Sequence, residues 1–388
     1  MKIAVIGGGG IQAYGILRDL IESDGIQKVL VVDNRPGLAR RRAEALGDAR
    51  LIPVETDITD HRAAVELLGQ VDAVINSSTM DLCLPVMLAA LEAGVNYVDL
   101  GAWNHTTEQQ LTYHQEFKKR GITAVLGMGS APGISNLMAS LGVGMLDTVE
   151  DIRIIIAMRD LTQRSSPIAY PYAIDTILDE FTEPASVFRD GRMVEVPPLT
   201  CNEQFRFEDP IGVVCPPYVI HPEPFTLACS YKSRGLRNAS FQIALPQDFM
   251  AKVKFLCELG FGSKEPICVG EQQVIPRQVL MGLLTALPAE EVDVNQYSVT
   301  RVLVRGQKDG VITEYNLEMY VGSSKRWNYP AGALKTAVPP SIVGQMLAKG
   351  QITEKGVLPP ELCVPPKAFF RELAKRGLEV YYTKRAFV

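Results

Sequence analysis

The first 33 residues constrain the fold more than any other stretch. Lys2–Ile6 (KIAVI) is β-branched and apolar, the composition of a strand buried on both faces of a parallel sheet. Gly7-Gly8-Gly9-Gly10 breaks it, a helical segment follows, and a second apolar run, Lys28–Val32, ends at Asp33. Gly8-x-Gly10-x-x-Ala13 then fits the G-x-G-x-x-G/A spacing. In that pattern the first glycine makes the turn, the second lets a phosphate approach, and the third small residue allows close helix–sheet packing. A second register, Gly7-x-Gly9-x-x-Gln12, is also present. The first-turn N–H groups of Ile11 and Gln12, with the positive end of the helix dipole, favour an anion such as a pyrophosphate.

Asp33 lies about 20 residues beyond the glycines, where a carboxylate can accept hydrogen bonds from a ribose diol. This favours NAD, and NADP stays possible because Asn34-Arg35 and Arg40-Arg41-Arg42 adjoin that carboxylate. The same glycines could form a plain tight turn in another α/β domain. The preceding strand, the following helix and the spaced acid favour the dinucleotide.

A chain of 388 residues exceeds one typical core, so two domains are expected. Net charge is −5 and the cations are dispersed among acids, so no basic face points to nucleic acid. The 7 cysteines are odd in number, scattered, and never spaced C-x-x-C. They argue against a disulfide framework and a zinc ribbon, and they suit a reducing compartment. With the first strand beginning at once, no signal peptide is read and the cytoplasm is expected. Gly121–Leu146 carries no charge, yet its Gly127-Met128-Gly129-Ser130-Ala131-Pro132-Gly133 turn would break a helix in mid-membrane. Strand, loop and buried helix is the better reading, with no membrane partner.

Further strands are expected at Arg50–Val54, Ala73–Asn76, Asn96–Val98 and Ile122–Leu126. Asp57, after the first of these, is either a neighbour of the adenine or part of a helix start at Thr59 or Asp60. Ser77-Ser78-Thr79 follows Ala73–Asn76, and small hydroxyl residues can approach the nicotinamide half of a cofactor without crowding it. Asp99 closes the next strand at the sheet's carboxyl edge, where open α/β sheets bind ligands. From Val149 to about Val321 short apolar or alternating runs separated by turns such as Asp190-Gly191 predict a mostly antiparallel sheet, with helices at Ile174–Glu180 and Arg277–Leu287. Helical periodicity returns at Pro340–Gly350 and Pro365–Gly377, and Leu378–Tyr382 reads as a last strand. The expected fold is α/β: a Rossmann doubly wound parallel sheet at 1–133, an inserted α+β domain on a mostly antiparallel sheet at 134–336, and C-terminal helices returning to the Rossmann domain at 337–388.

Several segments resemble one family. Gly127–Ile134, Asp190-Gly191 leading to Val196-Pro197, His221-Pro222-Glu223-Pro224-Phe225-Thr226-Leu227, Gly344–Pro360 and Phe370–Val380 are similar to the saccharopine dehydrogenase-like reductases. The Ser130-Ala131-Pro132-Gly133 turn is nearest to the L-lysine 6-dehydrogenase branch, since the saccharopine reductases usually carry aspartate where this chain has Ala131. The resemblance implies a homodimer and an NAD(P)-dependent oxidoreductase acting on the CH–NH or CH–NH₂ group of a basic amino acid, with oxidation of L-lysine at its 6-amino group as the sharpest expectation. Imine reduction to saccharopine or carboxynorspermidine, and a dinucleotide sensor without turnover, are the alternatives.

Removing hydride from a carbon that bears nitrogen requires a neutral amine, so some group must take the ammonium proton. Asp99, His105 and His221 are candidates because each titrates toward neutrality when buried or paired. Asp99 is equally suited to capping a loop, and His105 to an exposed helix start. The resemblance places the Asp99-Leu100-Gly101 turn, and with it Gly101 and Met128, at the substrate. It also implies Arg237 as the fork for a substrate carboxylate, with Arg234 competing. No metal site is expected.

Overall fold

The computed structural model describes residues 1–288 and 290–387. Seven parallel strands form the first sheet, in the order Gly356–Leu358, Thr123–Val125, Asn96–Asp99, Ala73–Asn76, Lys2–Ile6, Lys28–Asp33, Leu51–Glu55. Lys2–Ile6 lies between Lys28–Asp33 and Ala73–Asn76, so the strand order reverses beside it. That reversal opens a crevice at the carboxyl ends, where Gly7–Gly10 and Ser77–Thr79 emerge. The inner strands are continuous apolar runs because helices cover both faces; Ile3, Ala4 and Val5 are fully buried.

A second seven-stranded sheet has the order Tyr381–Phe387, Val311–Gly322, Gln296–Lys308, Thr148–Asp160, Asn238–Ala244, Ala185–Arg189, Arg192–Val196. It is antiparallel except between Thr148–Asp160 and Asn238–Ala244, which run parallel. The helices Ile134–Val143, Glu223–Tyr231 and Ala331–Ala348 pack against one face. The other face carries a small core of Ile155, Ala157, Val299, Phe205 and Phe207.

The uncharged stretch 121–146 resolves into the strand Thr123–Val125, a turn holding a cis Ala131–Pro132 bond, and the helix Ile134–Val143. Among the described residues no helix is long and apolar enough to cross a membrane.

Three expectations need correction. The helix expected to start at Pro340 starts at Ala331 and runs to Ala348 through Pro339 and Pro340. A proline has no N–H to offer the carbonyl four residues back, so its position imitates a helix start. The packing of this helix on Ile11–Glu22 and on the first sheet holds it together across the break. The last strand begins at Tyr381, later than read, and pairs with Val311–Gly322, so the chain's end rejoins the second sheet and only part of 337–388 belongs with the first. Finally, Cys201 and Cys215 form a disulfide with Cα atoms 5.9 Å apart. They flank a two-stranded hairpin in which Phe205 pairs with Val214, and the pairing brings its ends together. Strands of two residues leave too short a pattern to read, so the cysteine spacing looked unrelated.

Candidate active site

The glycine turn fits a dinucleotide phosphate. A Cβ on Gly8 would lie 2.5 Å from Val31 Cγ1, so the turn is pressed onto the second strand. Gly10 stands at the N-cap of the helix Ile11–Glu22 and gives it no side-chain bond, leaving the first-turn N–H groups free. A Cβ there would meet only Gly7 O, at 3.1 Å, and would otherwise fill the open space an anion needs. Ala13 is buried against the sheet, Ile11 is exposed beside the turn, and Gln12 points into the adjoining cleft. Arg42, expected beside the Asp33 carboxylate, instead braces the turn: its Nη2 donates to Gly9 O at 3.1 Å and Gly10 O at 3.3 Å, with the guanidinium over the Tyr14 ring.

Asp33 is already engaged. Its Oδ2 accepts from Gly9 N at 3.0 Å, its Oδ1 from Arg35 N at 3.0 Å, and the Arg35 guanidinium bridges both oxygens at 3.0 Å each. Burial opposes its ionisation, but these bonds outweigh burial and hold the carboxyl below the usual range. The corner that would repel a 2′-phosphate is therefore nearly neutral, with exposed Asn34 and Arg35 beside it. Asp57 Oδ1 binds Thr59 N and Oγ1 at 2.9 and 2.7 Å, while Asp60 caps the next helix. Ser77 Oγ donates to Ile6 O at 2.7 Å and Ser78 Oγ to Asn76 Oδ1 at 2.5 Å, so these hydroxyls tie down the loop. Thr79 makes no side-chain cap bond where it leads into the next turn.

Beyond Gln12 and Met80 a mostly apolar cleft runs between the two sheets, walled by Leu100, Trp103, Ile156, Met158, Phe241 and Ile243. Four polar features interrupt it. Lys335, on the helix Ala331–Ala348, is 1% exposed and donates to Thr300 Oγ1 at 2.8 Å; burial pushes its pKa down to about 7. Ser130 Oγ and Ser298 Oγ are buried without a protein partner. His221 stacks on Phe241 at 3.7 Å between centroids, and its Nδ1 is bonded to the fully buried Glu223. Glu223 in turn accepts from Ser135 Oγ at 3.0 Å. Glu180, from the helix Ile174–Thr182, accepts from Tyr172 Oη at 2.5 Å, and burial pushes its carboxyl up to about 7.

Gly101 and His221 line the cleft, whereas Asp99, Met128 and Arg237 do not. Asp99 is fully buried: its Oδ1 takes the N–H groups of Gly101 at 3.0 Å and Gly127 at 2.6 Å, and its Oδ2 takes Tyr97 Oη and Gln110 Nε2 at 3.0 Å each. It clasps the two turns that wall the cleft, with no face left for substrate. Met128 is fully buried in the core, because the turn points its side chain inward. Arg237 precedes the strand Asn238–Ala244 at the end away from Phe241 and Ile243, roughly 13 Å of strand from Phe241. Its side chain is 62% exposed and faces Asp190 at 3.7 Å. Arg234 is spent on Leu146 O at 2.8 Å, and His105 is exposed.

Lys335, Glu223 and the Tyr172–Glu180 pair were missed. A signal for Lys335 existed: between Arg326 and Lys349 it is the one charged residue.

A glycine cradle opening onto a cleft with a buried lysine defines a nicotinamide-dinucleotide oxidoreductase, and comparison with known proteins agrees. Residues 3–125 match the saccharopine dehydrogenase NADP binding domain and residues 129–378 the saccharopine dehydrogenase C-terminal domain. The chain belongs to the saccharopine dehydrogenase family. The structure of saccharopine dehydrogenase (L-Glu forming) from Saccharomyces cerevisiae superposes with a TM-score of 0.75 at 16% identity, covering 99% of this chain and 100% of that one. Carboxyaminopropylagmatine dehydrogenase of Synechocystis sp. is 22% identical over 97% of this chain and 96% of its own length. Carboxynorspermidine synthase of Vibrio alginolyticus is 21% identical over 98% and 96%.

Proposed function

We propose that the chain oxidises or forms the C–N bond of a carboxylated amine, with NAD(P) as redox partner. The nicotinamide, when bound, supplies the hydride acceptor in one direction and the donor in the other. The observation that carries the reading is Lys335: an amine buried in the cleft, with a pKa near neutrality, is suited to take the proton a substrate ammonium must shed. In the oxidative direction carbon loses hydride, nitrogen loses its proton to Lys335, and C–N becomes C=N. In reduction Lys335 returns that proton. Ser130 and Ser298, each with an unpaired buried hydroxyl, can orient a carboxylate or the reacting nitrogen. His221, held at Nδ1 by Glu223, presents its other face to the cleft as a second acid–base group. A dinucleotide sensor without turnover would have no use for these groups.

Within this class two substrates compete. L-Lysine oxidised at its 6-amino group rests on the turn containing Ala131. The loss of Arg237 as a carboxylate fork removes the other support for it, and the two relatives with carboxylated polyamines in their names favour a larger secondary amine. A homodimer belongs to the same reading, supported by the exposed edge strand Tyr381–Phe387 with Tyr381, Tyr382 and Phe387 outward. The test is oxidation of L-lysine, cadaverine, saccharopine and carboxynorspermidine with NAD⁺ and NADP⁺, followed by reduced-nicotinamide absorbance. No reaction with any of these amines, by a protein that binds the dinucleotide, overturns the reading.

A further inference from the structure

We propose that Glu180, with Tyr172 bonded to it, is a subsite for a protonated amine carried on the substrate's alkyl chain, separate from the nitrogen that reacts. This rests on the C–N oxidoreductase reading and deepens it by assigning the groups that hold the second cationic nitrogen of such a substrate.

The other buried acids of this region are satisfied by the protein itself. Asp99 accepts four hydrogen bonds. Glu223 has Ser135 and His221. Glu361 has Asn136 and Ser230, at 2.9 Å each. Asp179, beside Glu180 in sequence, pairs with Arg277 at 2.6 Å and Lys264 at 2.8 Å. Glu180 is 2% exposed and has Tyr172 alone, through one oxygen, and no cation bridges it among the described residues. An acid removed from water without a counter-charge is costly unless something fills the site.

Glu180 is also placed to meet a ligand. The helix Ile174–Thr182 puts Thr176 and Glu180 one turn apart on the face lining the cleft, opposite walls of Ile156, Met158 and Phe241. Methylene groups would lie along those walls, and an ammonium at their end would find the free carboxylate oxygen with the phenol oxygen beside it. The charged and titratable groups around Glu180 are Tyr172, Asp179, His221 and, across the cleft, Lys335. Asp179 is neutralised by its two cations, so an incoming ammonium is the counter-charge Glu180 lacks. With its carboxyl held at about 7 when empty, Glu180 would release a proton as the cation enters.

The experiment is calorimetric titration of putrescine, and of 1,4-butanediol as its neutral counterpart, into the NADPH-loaded protein. Glu180→Gln preserves shape and removes the charge, and Tyr172→Phe removes one hydroxyl. Putrescine should bind Glu180→Gln on the order of tenfold or more weakly than wild type, and Tyr172→Phe by a smaller factor, with the diol unchanged in both. Wild-type affinity should rise from about pH 6 to about pH 8 and rise less steeply in Glu180→Gln, where only the discharge of Lys335 across the cleft remains. NADPH affinity in each variant reports folding. Equal binding of putrescine to wild type and Glu180→Gln, or a pH dependence that the substitution leaves unchanged, overturns the subsite. Glu180-dependent binding of putrescine by a protein that oxidises no amine would leave the subsite standing and remove the oxidoreductase reading; amine oxidation with unaltered binding in Glu180→Gln would do the reverse.

Discussion

Lys335 Nζ lies 2.8 Å from Thr300 Oγ1, a bond that crosses from the long helix Ala331–Ala348 to the inner strand Gln296–Lys308 of the second sheet. A hydroxyl is a weak partner for a charge, and this explains why burial wins and the amine sits near neutrality. Lys335→Met should lower turnover by about 10²- to 10⁴-fold. It should also stabilise the fold. A lysine whose folded pKa is depressed carries its full penalty below about pH 7, where it is charged in both states, and loses the penalty as pH climbs toward the unfolded value of 10.5. The gain from Lys335→Met should therefore shrink by about 1.4 kcal/mol per pH unit above neutrality. Denaturant titrations of both proteins across this range check the slope.

Glu223→Gln should leave His221 in the cleft but without its fixed tautomer, because a carboxylate on Nδ1 directs the proton there. Turnover should fall by about 10²-fold or more, with a changed pH–rate profile and a smaller effect on substrate affinity. A variant that keeps the wild-type profile would reduce the pair to a packing device.

Asp99→Asn tests a structural role. One oxygen becomes an NH₂ facing two donors already present, either the turn N–H groups or Tyr97 and Gln110. Each donor left unpaired costs about 1–3 kcal/mol, so a marked fall in denaturation midpoint is expected. Whatever fraction remains folded, counted by active-site titration with NADPH, should turn over with the wild-type pH–rate profile; a displaced profile would return Asp99 to the chemistry.

Arg35→Ala should shift cofactor choice toward NAD. Without the guanidinium, Asp33 regains a free carboxylate for a ribose diol and the corner becomes negative. Fluorescence titration with NADH and NADPH should show NADPH weakening by about tenfold or more relative to NADH.

The first sheet was legible because its inner strands are buried on both faces: Lys2–Ile6 and Ala73–Asn76 fall where the apolar runs put them, and Asp33 closes its strand. Helix Ile174–Thr182 was readable from its amphipathic period. Site chemistry was less legible, for two reasons. A carboxylate at a strand's carboxyl end can face the ligand or turn back to clasp neighbouring loops, and Asp99 does the second; only partners distant in sequence, such as Gln110 and Gly127, decide between them. Lys335 lay hidden because Pro339-Pro340 disguised the helix that carries it, and a lysine read as loop is read as solvated.

The clasp at Asp99 bears on how related sequences should be compared. Selection that preserves the two turns would hold an acid at this position through changes of substrate, of direction and even of cofactor preference, since none of these alters the four donors. An aspartate common to every member of such a lineage would thus record shared architecture. Divergence in chemistry should be sought in residues that drift, among them those corresponding to Tyr172, Glu180 and Ser298.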